Sequence, residues 1–374
     1  LLQRLVEVAK TSNLALMDVV SLATVMHGWV RAGRPEKADQ WMQQLHSWQE
    51  TEGDSYLGEL VPNQVLYSTV LSGWAKVGNT QRVMQILEWQ LQSFQSGNVE
   101  AKADTITFNC VLDALAKSDD SSAPEEAERL IETMEHYAAT LEWPCAPDRH
   151  TWSILLSCYS KHQPKNVEGR FASLQQVGRP LSLVAYNTML NAYAKMRNID
   201  AAVGLLKEME SSTAISPDVI SYNSVLSGYS RSKDEDAPYH AEELFRHMKQ
   251  QGIAPTDYSY GSLMQCWSKA RDPDAPYRVE QILREMRDDP NVEVNGICFT
   301  AVLKAWLNKA RYFRDRTALD RAMRLFEQMV TSNSKSLKPT AATFRTMMYG
   351  IVGSPVGSKK ELLESLVPAM KRCG

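Results

Sequence analysis

The side chains able to do chemistry in this chain are of two kinds: scattered candidates for catalysis, and polar residues that return at a regular spacing. His240-Ala241-Glu242 is the first half of a pattern that activates a zinc-bound water, but no C-x-x-C pair follows to complete a metal site. The six cysteines, Cys110, Cys145, Cys158, Cys266, Cys298 and Cys373, are widely spread and lack the close Cys or His spacing that zinc needs. They suit a reduced compartment. The acidic pairs Asp119-Asp120 and Asp288-Asp289 read as solvated turns, and no glycine-rich phosphate loop follows a strand pattern. No catalytic residue, metal site, cofactor or small-molecule substrate is therefore expected. Serine, asparagine and lysine, by contrast, recur at equivalent places along the whole chain, and they offer hydrogen bonds and charge rather than bond-breaking.

Those recurring residues ride on one repeated segment. It is clearest in Val184-Ala185-Tyr186-Asn187-Thr188-Met189-Leu190 and Ile220-Ser221-Tyr222-Asn223-Ser224-Val225-Leu226. Equivalent positions are Ala23, Ser68, Asn109, Ser153, Asn187, Asn223, Gly261, Thr300 and Arg345, a period of about 35 residues with insertions in Pro/Gly/Asp-rich stretches such as 52–59. Within a copy the apolar residues fall at i, i+3, i+4 and i+7, as in Tyr222, Val225, Leu226 and Tyr229, which is one face of a helix. The i+7 residue is bulky, as in Trp74, Tyr159, Trp267 and Trp306, and is read as core. A capping residue after proline marks helix starts at Asn63, Asp148, Asp218, Thr256 and Thr340. A second amphipathic helix follows, as in 240–248 and 278–286, so the unit is helix-turn-helix.

Composition bounds the rest. With 44% apolar and 23% charged residues, 374 residues can bury a large core, but stacked repeats imply one elongated body rather than several globular domains. A net charge of -3 argues against a surface that grips phosphates everywhere, so any nucleic-acid surface must be local. No apolar run approaches a membrane span of about 18 residues, so a soluble chain without membrane insertion is expected.

At this point the sequence resembles the pentatricopeptide repeat. The likeness lies in Tyr-Asn early in helix one, alanine in helix two, then Met and Pro-Asp. It is closest in Ser216-Pro217-Asp218-Val219-Ile220-Ser221-Tyr222-Asn223 followed by His240-Ala241-Glu242-Glu243-Leu244-Phe245-Arg246-His247-Met248. The runner-up, the tetratricopeptide repeat, has a Trp-x-x-Leu-Gly-x-x-Tyr signature that is not matched. The resemblance implies an all-α fold, a right-handed superhelical α-solenoid of about nine helix-turn-helix repeats. It divides the chain into a partial repeat over 1–18, eight repeats over 19–340 starting near 19, 64, 105, 149, 183, 219, 257 and 296, and a C-terminal repeat or cap over 341–374. It also implies a non-enzymatic single-stranded RNA-binding protein of a mitochondrion or plastid, acting in transcript maturation, stability or translation. The alternative is an interaction scaffold within a larger assembly such as an organellar ribosome.

Counting from the residue after the cap, positions 4, 7, 8 and 11 form the apolar face, and positions 2, 5, 9 and 13 point the other way, toward a groove. Position 2 is mostly aliphatic: Val20, Val65, Ile106, Val184, Ile220 and Ile297. Position 5 is mostly small or amide. An aliphatic side chain beside a hydrogen-bonding one suits a base held by its faces and read along its edge; equally, Asn and Ser there would simply solvate the exposed side. Position 13 is basic in Arg31, Lys76, Lys117, Lys161, Lys195, Arg231 and Lys269, a stripe that could follow phosphates or offset helix dipoles at their C-termini.

Through the resemblance, position 5 pairs with the last residue of each repeat to choose a base. That gives Ser68 with Asp104 for G, and Asn109 with Asp148 and Asn187 with Asp218 for U. Ala23 with Asn63, Ser153 with Ser182, Asn223 with Thr256, Gly261 with Asn295 and Thr300 with Thr340 depart from the familiar pairings. The implied base-reading set is thus Ser68, Asp104, Asn109, Asp148, Ser153, Asn187, Asp218 and Asn223, sandwiched by Val65, Ile106, Val184 and Ile220. Every last residue is also a good N-cap, which accounts for that column without RNA.

Overall fold

The computed structural model describes residues 19–51, 61–332, 335–354 and 359–373. The expected partial repeat over 1–18 and the inserted stretch 52–59 lie outside them. The described residues form eighteen α-helices and two short 3-10 turns, with no strand among them, and the fold is an all-α repeat solenoid. First helices are α1 (Val19–Arg31), α3 (Gln64–Val77), α5 (Thr105–Lys117), α7 (Arg149–His162), α9 (Leu183–Met196), α11 (Val219–Arg231), α13 (Asp257–Lys269), α15 (Gly296–Tyr312) and α17 (Ala341–Gly353). Each is followed by a second helix: α2 (Pro35–Thr51), α4 (Thr80–Gln95), α6 (Ala123–Thr140), α8 (Val167–Gln176), α10 (Ile199–Ser211), α12 (Ala237–Gln250), α14 (Ala275–Asp288), α16 (Arg316–Thr331) and α18 (Lys359–Cys373). Contacts group the chain into two units that divide within α9, Leu1–Met189 and Leu190–Gly374.

Local chemistry explains the starts. Side chains of Asn63, Asp104, Asp148, Asp218, Asn295 and Thr340 accept backbone N–H groups at the heads of α3, α5, α7, α11, α15 and α17. Each satisfies a donor the helix itself cannot, worth about 1 kcal/mol. Asp148 with Thr151, Asp218 with Ser221 and Thr340 with Thr343 close reciprocal capping boxes. The apolar stripe is buried: Tyr67, Val70 and Leu71, Tyr222, Val225 and Leu226, and Tyr260, Leu263 and Met264 are all core. Removing such a side chain from water is worth roughly 1.5–3 kcal/mol.

Two devices register one repeat on the next. At position 10 the first helices approach so closely that a Cβ on Gly73 would lie 2.8 Å from Val30 Cγ2, and one on Gly350 would lie 2.6 Å from Leu307 Cδ1. At position 11 the bulky ring is more than core filler. Trp74 Nε1 donates to Asp39 on α2 at 3.1 Å, and Arg82 on α4 grips the same carboxylate at 2.7 and 2.8 Å. The pattern repeats with Tyr159, Glu128 and Arg170, with Trp267, Glu242 and Arg278, and with Trp306, Glu280 and Arg321. An aromatic donor, an acid from the preceding second helix and an arginine from the following one thus clamp three helices.

Candidate functional site

The polar column of the first helices is organised by those caps. Asn109 Nδ2 donates to Asp148 Oδ1 at 3.3 Å, and the Thr151 hydroxyl lies 2.8 Å from Asn109 Oδ1. Asp148 is partly desolvated, but the Thr151 N–H and hydroxyl, the Asn109 amide and the His150 N–H hold its carboxyl below the usual carboxylate range. The amide of Asn109 is therefore fixed in orientation, with one N–H and one lone pair still to offer. Asn223 is set in the same way: its Nδ2 donates to Thr256 Oγ1 at 3.3 Å, and Ser259 Oγ donates to its Oδ1 at 2.6 Å. Thr300 and Thr343 share a hydroxyl contact at 2.9 Å.

Ser68, Asp104 and Ser153 of the predicted base-reading set are placed differently. Ser68 Oγ turns back to Val65 O at 3.1 Å, while Asp104 accepts from Gln64 Nε2 and from Thr107 N, so Ser68 and Asp104 are not joined. Ser153 is 2% exposed, its hydroxyl 2.6 Å from Ser182 Oγ and 2.8 Å from Arg149 O, which leaves little surface for a base edge. Asn187 on α9 is 9% exposed, like Asn109 at 8%, and Asp218 caps α11, accepting from Ser221 N at 2.9 Å.

The position 2 residues stand out most plainly. Val20, Val65, Ile106, Val184, Ile220 and Ile297 are 54–74% exposed, and Tyr258 holds the same place in α13 at 54%. Burial in a core does not explain them, because they face away from it. Seven of the nine first helices thus present a large apolar side chain beside the polar column, the exceptions being His150 in α7 and Ala342 in α17.

The position 13 cations divide. Arg31, Lys76, Lys117, Lys195 and Arg231 are exposed, with Lys117 paired to Asp113 one turn earlier. Lys161 Nζ donates to Lys117 O at 2.7 Å and to Ser118 O, the end of α5. Lys269 donates to Ser230 O near the end of α11, and Asn308 Nδ2 takes the same role toward Ser268 O of α13 at 2.8 Å. These three satisfy last-turn carbonyls of the preceding first helix, a bond between repeats that sequence reading missed. Desolvation there pushes the Lys269 ammonium below its ordinary value.

Catalytic candidates find structural employment. Glu242, of the His240-Ala241-Glu242 match, is taken up by Trp267 and Arg278. Burial pushes the thiols of Cys158 and Cys266 up to about 11 and about 12, far from the thiolate that nucleophilic chemistry requires. Among the described residues no group of three or more His, Cys, Asp or Glu could hold a metal ion.

In the second unit the groove face of α11, α13, α15 and α17 encloses a cavity of about 550 Å³. Tyr258, Gly261, Gln265, Asn295, Ile297 and Lys304 are among its lining residues. Gly261 leaves its position 5 empty, and a Cβ there would meet nothing within 4 Å.

A model of the PPR repeat family matches residues 181–231 and 217–269, and one of the PPR repeat matches 20–49, all on helix pairs described above. A chloroplastic pentatricopeptide repeat-containing protein of Arabidopsis thaliana is 31% identical over 109 residues, 29% of this chain and 14% of that protein. The Arabidopsis thaliana small ribosomal subunit protein mL103 (rPPR7) is 32% identical over 104 residues, 27% of this chain and 24% of that protein. The chain thus spans a quarter or less of either relative. The crystal structure of the pentatricopeptide repeat protein PPR10 in complex with an 18-nt psaJ RNA element superposes with a TM-score of 0.60 at 18% identity, covering 94% of this chain and 55% of that one. Repeat spacing, capped helix pairs and matched models agree: the chain carries pentatricopeptide repeats, matched at residues 20–49 and 181–269.

Proposed function

We propose that the chain holds single-stranded RNA along the exposed face of its first helices, without chemistry, as part of RNA metabolism in a mitochondrion or plastid. The observation that carries this reading is the column of exposed aliphatic side chains beside preset amides. An apolar surface kept in water in most repeats costs free energy unless something flat covers it, and an unpaired base has the right face. Asn109 and Asn223, already oriented, supply an edge contact at little further entropic cost. The exposed cations at position 13, Arg31, Lys76, Lys117, Lys195 and Arg231, supply charge for the backbone, and Lys161 and Lys269 contribute less because their ammonium groups already serve helix ends. The organelle rests on the family and on the chloroplastic relative.

A second reading, a scaffold inside an organellar ribosome, is favoured by the relative named as a small ribosomal subunit protein and by the unfamiliar pairings at Ser153, Gly261 and Thr300. RNA crosslinking with sequencing in the native compartment separates the two. A short single-stranded site supports base-by-base binding, whereas crosslinks confined to ribosomal RNA favour the scaffold.

A further inference from the structure

We infer that the cavity over Gly261 seats an RNA phosphate, with Lys304 as its principal cationic ligand. This rests on the RNA-binding reading above and assigns a phosphate position within it that lies off the position 13 stripe.

In α13 and α15 the position 13 side chains are already engaged. The Lys269 ammonium is directed to Ser230 O, and Asn308 has no charge and bonds Ser268 O. Lys309, beside Asn308, lies 4.5 Å from the Tyr277 ring centroid and 3.9 Å from the Asp315 carboxylate. The cations at and beside position 13 of α13 and α15 are thus spent on the protein itself, leaving Arg231 of α11 at the cavity's edge. Lys304 lies one helical turn before Asn308, on the same face of α15, and lines the cavity. It is half-buried, and no carboxylate or carbonyl partner for it is seen among the described residues. Burial, with the neighbouring Lys269 cation, depresses its ammonium below the ordinary range.

A partly desolvated cation without a counter-charge is costly, and a neutral base edge cannot repay that cost as an anion does. The lining holds one other cation, Arg231, against one carboxylate, Asp257. Gly261 supplies the room: a side chain at that position would occupy the cavity's floor, and Tyr258 beside it offers an exposed ring on which the attached base can stack.

The test measures binding of the full chain to a pool of single-stranded RNA oligonucleotides of random sequence and uniform length, over a series of salt concentrations. Lys304→Gln should bind more weakly at low salt and lower the slope of log affinity against log salt by about 0.7, the value for one phosphate contact on a single strand. Lys304→Arg should keep the wild-type slope. Because Lys304→Gln removes an uncompensated charge, its melting temperature should equal or exceed that of the wild type; Lys304→Met serves as a second neutral variant. A wild-type slope in the two neutral variants overturns the phosphate site while leaving RNA binding intact. Failure of the wild-type chain to bind any RNA overturns the underlying reading instead.

Discussion

The junction of α5 with α7 in the first unit and that of α13 with α15 in the second are built to one plan at one end and differ at the other. Away from the groove, both carry the three-helix clamp: Tyr159, Glu128 and Arg170 in the first, Trp306, Glu280 and Arg321 in the second. At the groove, the first presents Asn109 locked between Asp148 and Thr151, and the second presents Gly261 and an open cavity. The clamp therefore sets the register of the repeats, and the groove side chain is free to vary without loss of the stack. Holding repeats together and contacting a ligand are separate tasks assigned to opposite ends of the same helices.

The largest effect should come from breaking the shared end. Glu280 has a side chain 12% exposed and serves both Trp306 and Arg321, so Glu280→Ala leaves an indole N–H and a guanidinium without their acceptor. A loss of about 3 kcal/mol is expected on chemical denaturation followed by circular dichroism, near the lower end for a broken buried ion pair. Glu128 is 31% exposed, and solvent can replace more of what it provides. Glu128→Ala should cost about half as much, roughly 1.5 kcal/mol. Equal losses would mean that burial does not set the worth of the clamp.

Next in size is the conversion of the filled groove end into an empty one. Asn109→Ala should weaken a uridine-containing RNA by about 1–3 kcal/mol, the range for a lost base contact, in a filter-binding or anisotropy titration. It should cost only about 1 kcal/mol of stability, because Asp148 keeps its backbone donors and Thr151 keeps Asp148. An equal loss for RNA lacking uridine would remove base reading from Asn109 and leave it as a spacer.

The same division shows what could be read from sequence. The caps at Asn63, Asp148 and Asp218, and the buried faces at Tyr222, Val225 and Leu226, follow from residues a few places apart, so local patterns mark them. The clamp joins Trp74 to Asp39 and Arg82 to Asp39 across dozens of residues, and its ring reads as ordinary core until the partners meet. Aligning the second helices on one another would have exposed the recurrent acid at Asp39, Glu128, Glu242 and Glu280. The bonds of Lys161 and Lys269 to backbone carbonyls leave no such trace, because every residue has a carbonyl. In the groove, the exposed aliphatics at Val65 and Ile106 were legible as a column, whereas the orientation of Asn109 depended on a cap and a threonine one repeat away.

The clamps also differ in what titrates. Tyr159 is desolvated and donates to Glu128, and both effects raise its phenol above the ordinary value near 10. A raised folded value means that its stabilisation is complete below pH 10 and declines as pH rises past it. The decline approaches about 1.4 kcal/mol per pH unit until the folded phenol itself ionises. Tyr159→Phe should flatten part of the alkaline fall seen by denaturation at pH 9, 10 and 11, and Trp306→Tyr should add to it. An unchanged alkaline profile in Tyr159→Phe would show that the phenol is not protected in the folded chain.

The smallest effect expected on base preference is that of filling the hollow, because one side chain does not make the locked amide, and any crowding of the phosphate seat weakens all RNAs alike and cancels from a preference. Gly261→Asn places an amide where a Cβ meets no neighbour, and replacing a helical glycine contributes a few tenths of a kcal/mol of stability at most. Asn295 stands where Asp148 stands in the first unit and can face that amide as a neutral cap. The third residue of α15, however, is Cys298, which is buried with its Sγ 3.5 Å from Asn295 Oδ1, and it brings no hydroxyl to hold the amide oxygen. The introduced side chain is then held on one side only and keeps its rotamer freedom. Gly261→Asn alone should shift base preference by about 0.5 kcal/mol or less, well short of what a bidentate contact delivers. Gly261→Asn with Cys298→Thr should exceed the sum of the separate changes, since the two residues share one hydrogen bond, and the excess is the coupling energy of a double-mutant cycle. Strict additivity would mean that the threonine does not orient the amide, in which case the Asn109 and Thr151 contact would be a packing detail and not the source of the reader's fixed orientation.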